Sequence, residues 1–161
     1  MTDISENSNR ARTVWLIRHA KAAAPEAGQE DFDRRLTRRG ERQCAALHDW
    51  LQSRLHNLAA TVLYSPAARA SRTAELALGD WFAGSCREEM RIWNATAHEL
   101  AALVEEHAGD HLVLVGHNPG LEQLQAALSG QLMPMSTGGA FELQFGHQGR
   151  VRLAERFQPD A

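Results

Sequence analysis

The chain is predicted to be an α/β protein: a three-layer α/β/α sandwich with a mostly parallel central sheet and a C-terminal antiparallel hairpin. Three observations predict this. Short β-branched, apolar runs alternate with longer stretches of helical period, the pattern of a mostly parallel sheet. Val14-Trp15-Leu16-Ile17 and Leu112-Val113-Leu114-Val115 are apolar without interruption, as strands covered on both faces are. Three of the runs stop abruptly in polar residues: Arg18-His19, Ser65-Pro66 and Gly116-His117-Asn118. Such carboxyl ends are where open α/β sheets bind ligands.

Taken in order, residues 1–12 are polar and read as a disordered leader, which leaves 13–161 as a single domain. Thr13 to Ile17 is the first strand. Lys21 to Arg35 has no period and reads as a long loop, a feature often tied to function. Thr37 to Leu58 reads as a helix capped by Thr37, with Cys44, Leu47, Leu51, Leu55 and Leu58 on one face. Ala60 to Tyr64 is a strand. Ser65 as N-cap and Pro66 at the first helical position open a helix that runs to Leu78 and stops at Gly79. Arg87 to Trp93 is a weaker strand, with Met90 and Ile92 alternating against charge.

Thr96 and Glu99 have the spacing of a capping box, ahead of a helix whose apolar face is Leu100, Leu103 and Val104. Leu112 to Val115 is the clearest buried strand. Asn118 then caps a helix with Pro119 in its first turn; Leu121, Leu124 and Leu128 face inward and Gly130 ends it. Gly138 to Phe145 and Arg150 to Phe157 form the closing hairpin around a turn at Gly146 to Gly149. No repeat is visible.

With 161 residues the chain can bury one sizeable core. A hydrophobic content of 43% and a charged content of 23% are those of an ordinary globular domain. The net charge of -3 excludes a general nucleic-acid binder, so any anion site must be local. No apolar stretch approaches the roughly 18 residues of a membrane span, and the N-terminus lacks a signal-peptide core. We therefore expect a cytoplasmic monomer. Cys44 and Cys86 have neither metal-ligand nor disulfide spacing and read as small core residues.

In a parallel sheet the three polar strand ends share one edge. Arg18, His19, Arg69 and His117 can then converge, beside helix N-termini whose free N–H groups favour anions. Guanidinium pairs suit the equatorial oxygens of a phosphoryl group. A neutral imidazole can attack phosphorus and form a phosphohistidine that water hydrolyses. Oxygen ligands are not clustered at the strand ends, so no metal or other cofactor is expected.

These residues also carry a resemblance. Leu16-Ile17-Arg18-His19-Ala20-Lys21-Ala22 resembles the Arg-His signature of the histidine phosphatase superfamily, in the Arg-His-Ala form of its small SixA-like branch. Arg34-Arg35-Leu36-Thr37-Arg38-Arg39-Gly40 is similar to that branch's Arg-x-Leu-Thr-x-x-Gly segment. Ser65-Pro66-Ala67-Ala68-Arg69-Ala70-Ser71-Arg72-Thr73 is similar to its Ser-Pro-x-x-Arg-Ala-x-x-Thr segment, and Gly116-His117-Asn118-Pro119 to its second-histidine motif. The four occur in the family's order. The resemblance implies a phosphoglycerate mutase-like fold and His19 as the phosphorylated nucleophile. It implies Arg18, Arg69 and His117 around the phosphate, with Arg34 reaching in from the long loop.

In one place the chain departs from the larger members, which carry a Glu or Asp proton donor just after the third strand. Here that region is Trp93-Asn94-Ala95-Thr96. A general acid helps most with a poor leaving group, and a phosphohistidine leaves without one. The expected substrate is therefore phosphohistidine on a protein, as in a phosphorelay domain. A small phosphomonoester is the alternative, and a non-catalytic phosphoprotein-binding module is the reading from another class. The blander assignments are a helix cap for Ser65, a capping-box partner for Glu99, and a surface or ion-pair residue for Arg72. Lys21 adds potential at the pocket mouth. The four tryptophans and the remaining histidines read as packing or surface residues.

Overall fold

The structure, a computed structural model, describes residues 11–159. Its strands are β1 (Arg12–Arg18), β2 (Thr61–Tyr64), β3 (Ser85–Glu88), β4 (His111–Gly116), β5 (Ala140–Phe145) and β6 (Val151–Phe157). Its helices are α1 (Arg38–Leu55), α2 (Ala68–Leu78), α3 (Ala97–Glu106) and α4 (Gly120–Ser129). The strands form one sheet in the order β3-β2-β4-β1-β5-β6. β3, β2, β4 and β1 are parallel; β5 runs antiparallel to β1, and β6 antiparallel to β5.

The period-2 geometry of the central strands divides the core in two. Val14, Leu16, Leu112 and Leu114 pack on one face with Leu100, Leu103 and Val104 of α3 and Leu121 and Leu124 of α4. Trp15, Ile17, Val113 and Val115 pack on the other with Leu47, Leu51 and Leu55 of α1 and Ala70, Ala74 and Ala77 of α2. Because both faces of β1 and β4 are covered, neither strand can alternate with polar residues. Each fully buried Leu or Ile contributes about 1.5–3 kcal/mol relative to exposure. The three layers are those expected.

Several local expectations need correction. The polar leader stops short of residue 12: Arg12 opens β1 and is buried, its guanidinium donating to the Val104 and His107 carbonyls. Ala11 is exposed and outside any strand, and residues 1–10 of that leader lie outside those described. The first long helix ends at Leu55, and Leu58 packs against the core from beyond it. Ser65 is not the N-cap of α2; Ala67 holds that position. The third strand lies earlier, at Ser85–Glu88, and Met90–Ile92 is a 3-10 turn. The apparent alternation there reflects Ile92 turning into the core while Met90 stays exposed. Cys86 is exposed on the edge strand β3, whereas Cys44 is buried as expected. Pro119, not Asn118, holds the N-cap position of α4, although the Asn118 side chain accepts from the Glu122 N–H. The Thr96–Glu99 capping box is present as read.

What the fold does for the site is bring the carboxyl ends of β1, β2 and β4 together. His19 N–H donates to the Gly116 carbonyl and Ser65 N–H to that of Val115, so the ladder holds the backbone beyond the strands. The start of β5 closes the same edge, since Gly138 N–H donates to the carbonyls of Arg18 and His19. The first turn of α1 packs hard against the chain just after His19. A Cβ added to Gly40 would stand 2.2 Å from the Lys21 carbonyl oxygen, so only glycine fits there. Among the described residues no helix is long and apolar enough to cross a membrane.

Candidate active site

A cavity of about 250 Å³ opens at this edge, and Arg18, His19, Lys21, Arg34, Arg69 and His117 line it with Asn118 and Thr137. All five residues singled out from the sequence therefore meet in one place. β1 supplies Arg18 and His19, α2 supplies Arg69 from its first turn, β4 delivers His117, and the long loop brings Arg34.

His19 is 8% exposed and held in one tautomer. Its Nδ1 lies 2.8 Å from the Ala20 carbonyl, which can only accept, so Nδ1 carries the proton. Its Nε2 receives a hydrogen bond from Arg69 Nε at 3.3 Å and so presents a lone pair. Burial first, then the cations Arg69, Arg18 and Arg34, push the His19 pKa down to about 4. The ring is neutral at pH 7 with its unprotonated nitrogen among guanidinium groups. His117 lies with its ring centroid 5.2 Å from that of His19. Burial, followed by His19 and Arg69, lowers its pKa to about 3. Its Nε2 is 2.8 Å from Ser65 Oγ, and its Nδ1 has no hydrogen-bond partner among the described residues.

Ser65 thus has a role beyond the one read from sequence. Its Oγ accepts from the Ala67 N–H at 3.3 Å while contacting His117, which ties the N-terminus of α2 to the second histidine. Arg18 is oriented by the Met135 carbonyl at 2.9 Å. Thr37 caps α1 by accepting from Gly40 N–H, and its hydroxyl donates to the Lys21 carbonyl, so it holds the loop. Arg72 is paired with Glu75 at 2.9 Å on the surface, as expected.

Two contributors were not read from the sequence. The first is Asp31, in a 3-10 turn of the long loop. Its Oδ1 accepts from Arg34 Nε at 2.7 Å and its Oδ2 from Arg69 Nη2 at 3.1 Å, while its carbonyl accepts from Arg69 Nη1 at 2.7 Å. The bond from Arg34 is the main reason its carboxyl titrates below the ordinary range. No period or motif marks Asp31; its position three residues before Arg34 was the available signal. The second is Trp93, taken as packing. It makes edge contacts with His117 and Phe32, at 5.3 Å and 5.1 Å between centroids, and the Arg69 guanidinium lies 5.5 Å from its ring centroid. An aromatic wall therefore stands just where larger family members are expected to carry an acid.

A cation pocket with a neutral, oriented imidazole is equipped to bind a tetrahedral oxyanion and attack it. Among solved structures, the chain is similar to a SixA from Agrobacterium tumefaciens assigned as a phosphohistidine phosphatase, at 27% identity and a TM-score of 0.81, covering 92% of this chain and 98% of that one. It is also similar to the protein histidine phosphatase SixA complexed with tungstate, at 25% identity and a TM-score of 0.74, covering 91% and 97%. A protein from Escherichia coli assigned as an alpha-ribazole-5'-P phosphatase shares the fold at 22% identity and a TM-score of 0.67, covering 88% and 94%. No curated protein matches. The family model of the histidine phosphatase superfamily (branch 1) matches residues 14–95, about half of the chain, and carries Arg18, His19, Arg34 and Arg69 within it. The chain belongs to the histidine phosphatase superfamily.

Proposed function

We propose that this protein hydrolyses phosphohistidine on a protein substrate through a covalent phospho-His19 intermediate. One observation carries the reading: His19 presents its Nε2 lone pair into a pocket of arginines while its Nδ1–H is tied to the Ala20 carbonyl. That is a nucleophile already in the reactive tautomer.

Arg18, Arg69 and Arg34 hold the phosphoryl oxygens. The His19 Nε2–P bond forms as the bond from phosphorus to the substrate imidazole breaks, and the protonated substrate ring leaves as neutral imidazole. His117, held through Nε2 by the Ser65 hydroxyl, stands beside His19 in the pocket and assists the transition state there. Water then attacks phospho-His19, releasing inorganic phosphate and restoring the ring. Asp31 is ionised and shared between two arginines, so it positions them and does not supply the proton that an alkoxide leaving group needs. This supports phosphohistidine over phosphomonoesters. A tetrahedral oxyanion, tungstate, is bound by the related SixA. Metal independence belongs to the same proposal, because the donor set of the pocket is guanidinium and imidazole; EDTA is expected to leave the rate unchanged. Two histidines 5.2 Å apart are also more than a pure phosphoprotein-binding module needs.

The deciding assay compares a phosphohistidine protein with an aryl phosphate ester on the same preparation. A much larger kcat/KM on the phosphohistidine protein is expected. A much larger value on the ester overturns the substrate assignment, and near wild-type turnover by His19→Ala overturns the mechanism.

A further inference from the structure

Beside the phosphate pocket lies a second cleft of about 380 Å³, lined by Arg35, Leu36, Glu41, Ala68 and Arg72. The two are neighbours through the chain itself. Arg34 lines the first and Arg35 the second, while Arg69 and Arg72 are one turn apart on α2. Arg35, Arg38, Arg39 and Arg42 are exposed and form no ion pair among the described residues.

The placement of two of these is unfavourable for the helix. Arg38 and Arg39 occupy the first turn of α1, where the helix dipole favours anions. Exposed cations there work against the helix dipole and are free to meet an anion from outside the chain. In a protein of net charge -3, the cluster is a local reversal of sign next to the proposed catalytic pocket. Arg35 keeps both its charge and its fork of donors for a carboxylate, whereas Arg72 already pairs with Glu75 at 2.9 Å on the surface, a contact that contributes little and is open to exchange. The cleft floor, with Leu36 and Ala68, suits the methylene part of a Glu or Asp side chain.

We infer that the cleft of Arg35 and Arg72, with Arg38 one helical turn before its lining residue Glu41, is a docking site for acidic side chains flanking the phosphohistidine of a protein substrate. The inference rests on the phosphohistidine reading and adds to it the surface chemistry of the partner. Glu41 opposes the docking: it lines the cleft, one turn after Arg38, and has no ion-pair partner among the described residues. Its removal therefore has the opposite sign to removal of the arginines.

The test uses two labelled peptides of equal length with a central histidine, one flanked by glutamates and the other by glutamines. Unphosphorylated, they report binding by fluorescence anisotropy; phosphorylated, they report turnover, with free phosphohistidine as a small-substrate control. Wild type is expected to bind the Glu peptide about tenfold more tightly than the Gln peptide at low salt, as a set of rim charges does. The triple variant Arg35→Glu/Arg38→Glu/Arg72→Glu abolishes that preference and leaves turnover of free phosphohistidine at the wild-type rate. Glu41→Gln enlarges the preference. Equal binding of the two peptides by wild type overturns the inference, as does a preference that survives the triple reversal. So does an oligonucleotide of the same charge that binds as tightly as the Glu peptide. A Glu preference without turnover of any phosphohistidine probe overturns the phosphohistidine reading instead and leaves the acidic docking site standing.

Discussion

Two sets of arginines near the proposed active site differ in burial and therefore in use. Arg69 is 5% exposed, and each of its three nitrogens donates one hydrogen bond, to His19 Nε2, the Asp31 carbonyl and the Asp31 carboxylate, which leaves the second N–H of each terminal nitrogen for a phosphoryl oxygen. Arg35, Arg38 and Arg39, which follow the pocket residue Arg34 along the chain, are exposed and unpaired among the described residues. Taking a guanidinium out of water is unfavourable unless its donors are satisfied, so a buried arginine must be held in one geometry. An exposed one is screened and mobile, and its field acts at a distance of about 8–10 Å at ordinary salt. The first arrangement fits recognition of a reacting phosphoryl group, where a small misplacement matters. The second fits recruitment of a partner.

The sharpest break in that comparison comes at the nucleophile the buried group serves. His19→Ala is expected to lower kcat by at least about 10³-fold, and brief incubation with labelled substrate, without acid, should leave label on wild type only. Arg69→Ala should cost about 10²–10³-fold in kcat, as loss of one oriented donor does. Arg69→Lys should rescue little of it, because an ammonium cannot bond His19 and Asp31 as a planar fork does. If lysine restores most of the rate, the geometry argued for Arg69 is wrong. Asp31→Asn loosens the same arginines without removing them. We expect kcat to fall about tenfold while inorganic phosphate inhibits more strongly, since a competing carboxylate charge has gone. Unchanged kcat with unchanged inhibition would show that Asp31 does not position the site.

Smaller in amplitude, and read without substrate, is the pH response. Both histidine pKa values are lower in the folded protein, about 4 for His19 and about 3 for His117, than the ordinary 6.5. The unfolded chain therefore binds their protons first as pH falls. The associated stability is fully present above pH 6.5, declines through pH 5, and is lost once the pH passes below both folded values. NMR titration should show both rings neutral at pH 5, and Tm should begin to fall below pH 6.5. Two rings titrating near 6.5 would remove the case for a neutral, lone-pair-bearing His19. At the far end of the comparison, charge reversal at Arg35 and Arg38 should change turnover of free phosphohistidine by less than about twofold, as an exposed, screened charge does.

The parts of the molecule legible in sequence are those whose local signal coincides with their tertiary role. β1 and β4 are written as unbroken apolar runs because both of their faces are buried. Their polar ends mark the ligand edge because a buried strand cannot continue into Arg18-His19 or His117-Asn118. The Thr96–Glu99 box was readable because capping is satisfied within four residues. β3 was misplaced because it is a short, fully exposed edge strand, where no burial writes a pattern. Ser65-Pro66 mimics a helix start, yet Ser65 Oγ is needed by His117 as well as by Ala67 N–H. Local propensity could not weigh a partner 52 residues away.

By itself, then, the sequence determined the α/β order, the burial of the central strands, and the convergence of Arg18, His19, Arg69 and His117 at one sheet edge. Strand direction and hydrophobic period suffice for that, since all parallel strands end on the same side. Only the tertiary structure decided what surrounds them. It set Asp31 between Arg34 and Arg69, stood Trp93 against His117, fixed the tautomer of His19, and laid the Arg35–Arg72 cleft beside the pocket. Those depend on side chains from separate loops meeting at hydrogen-bond distance, and a loop without period carries no local record of where it will fold back.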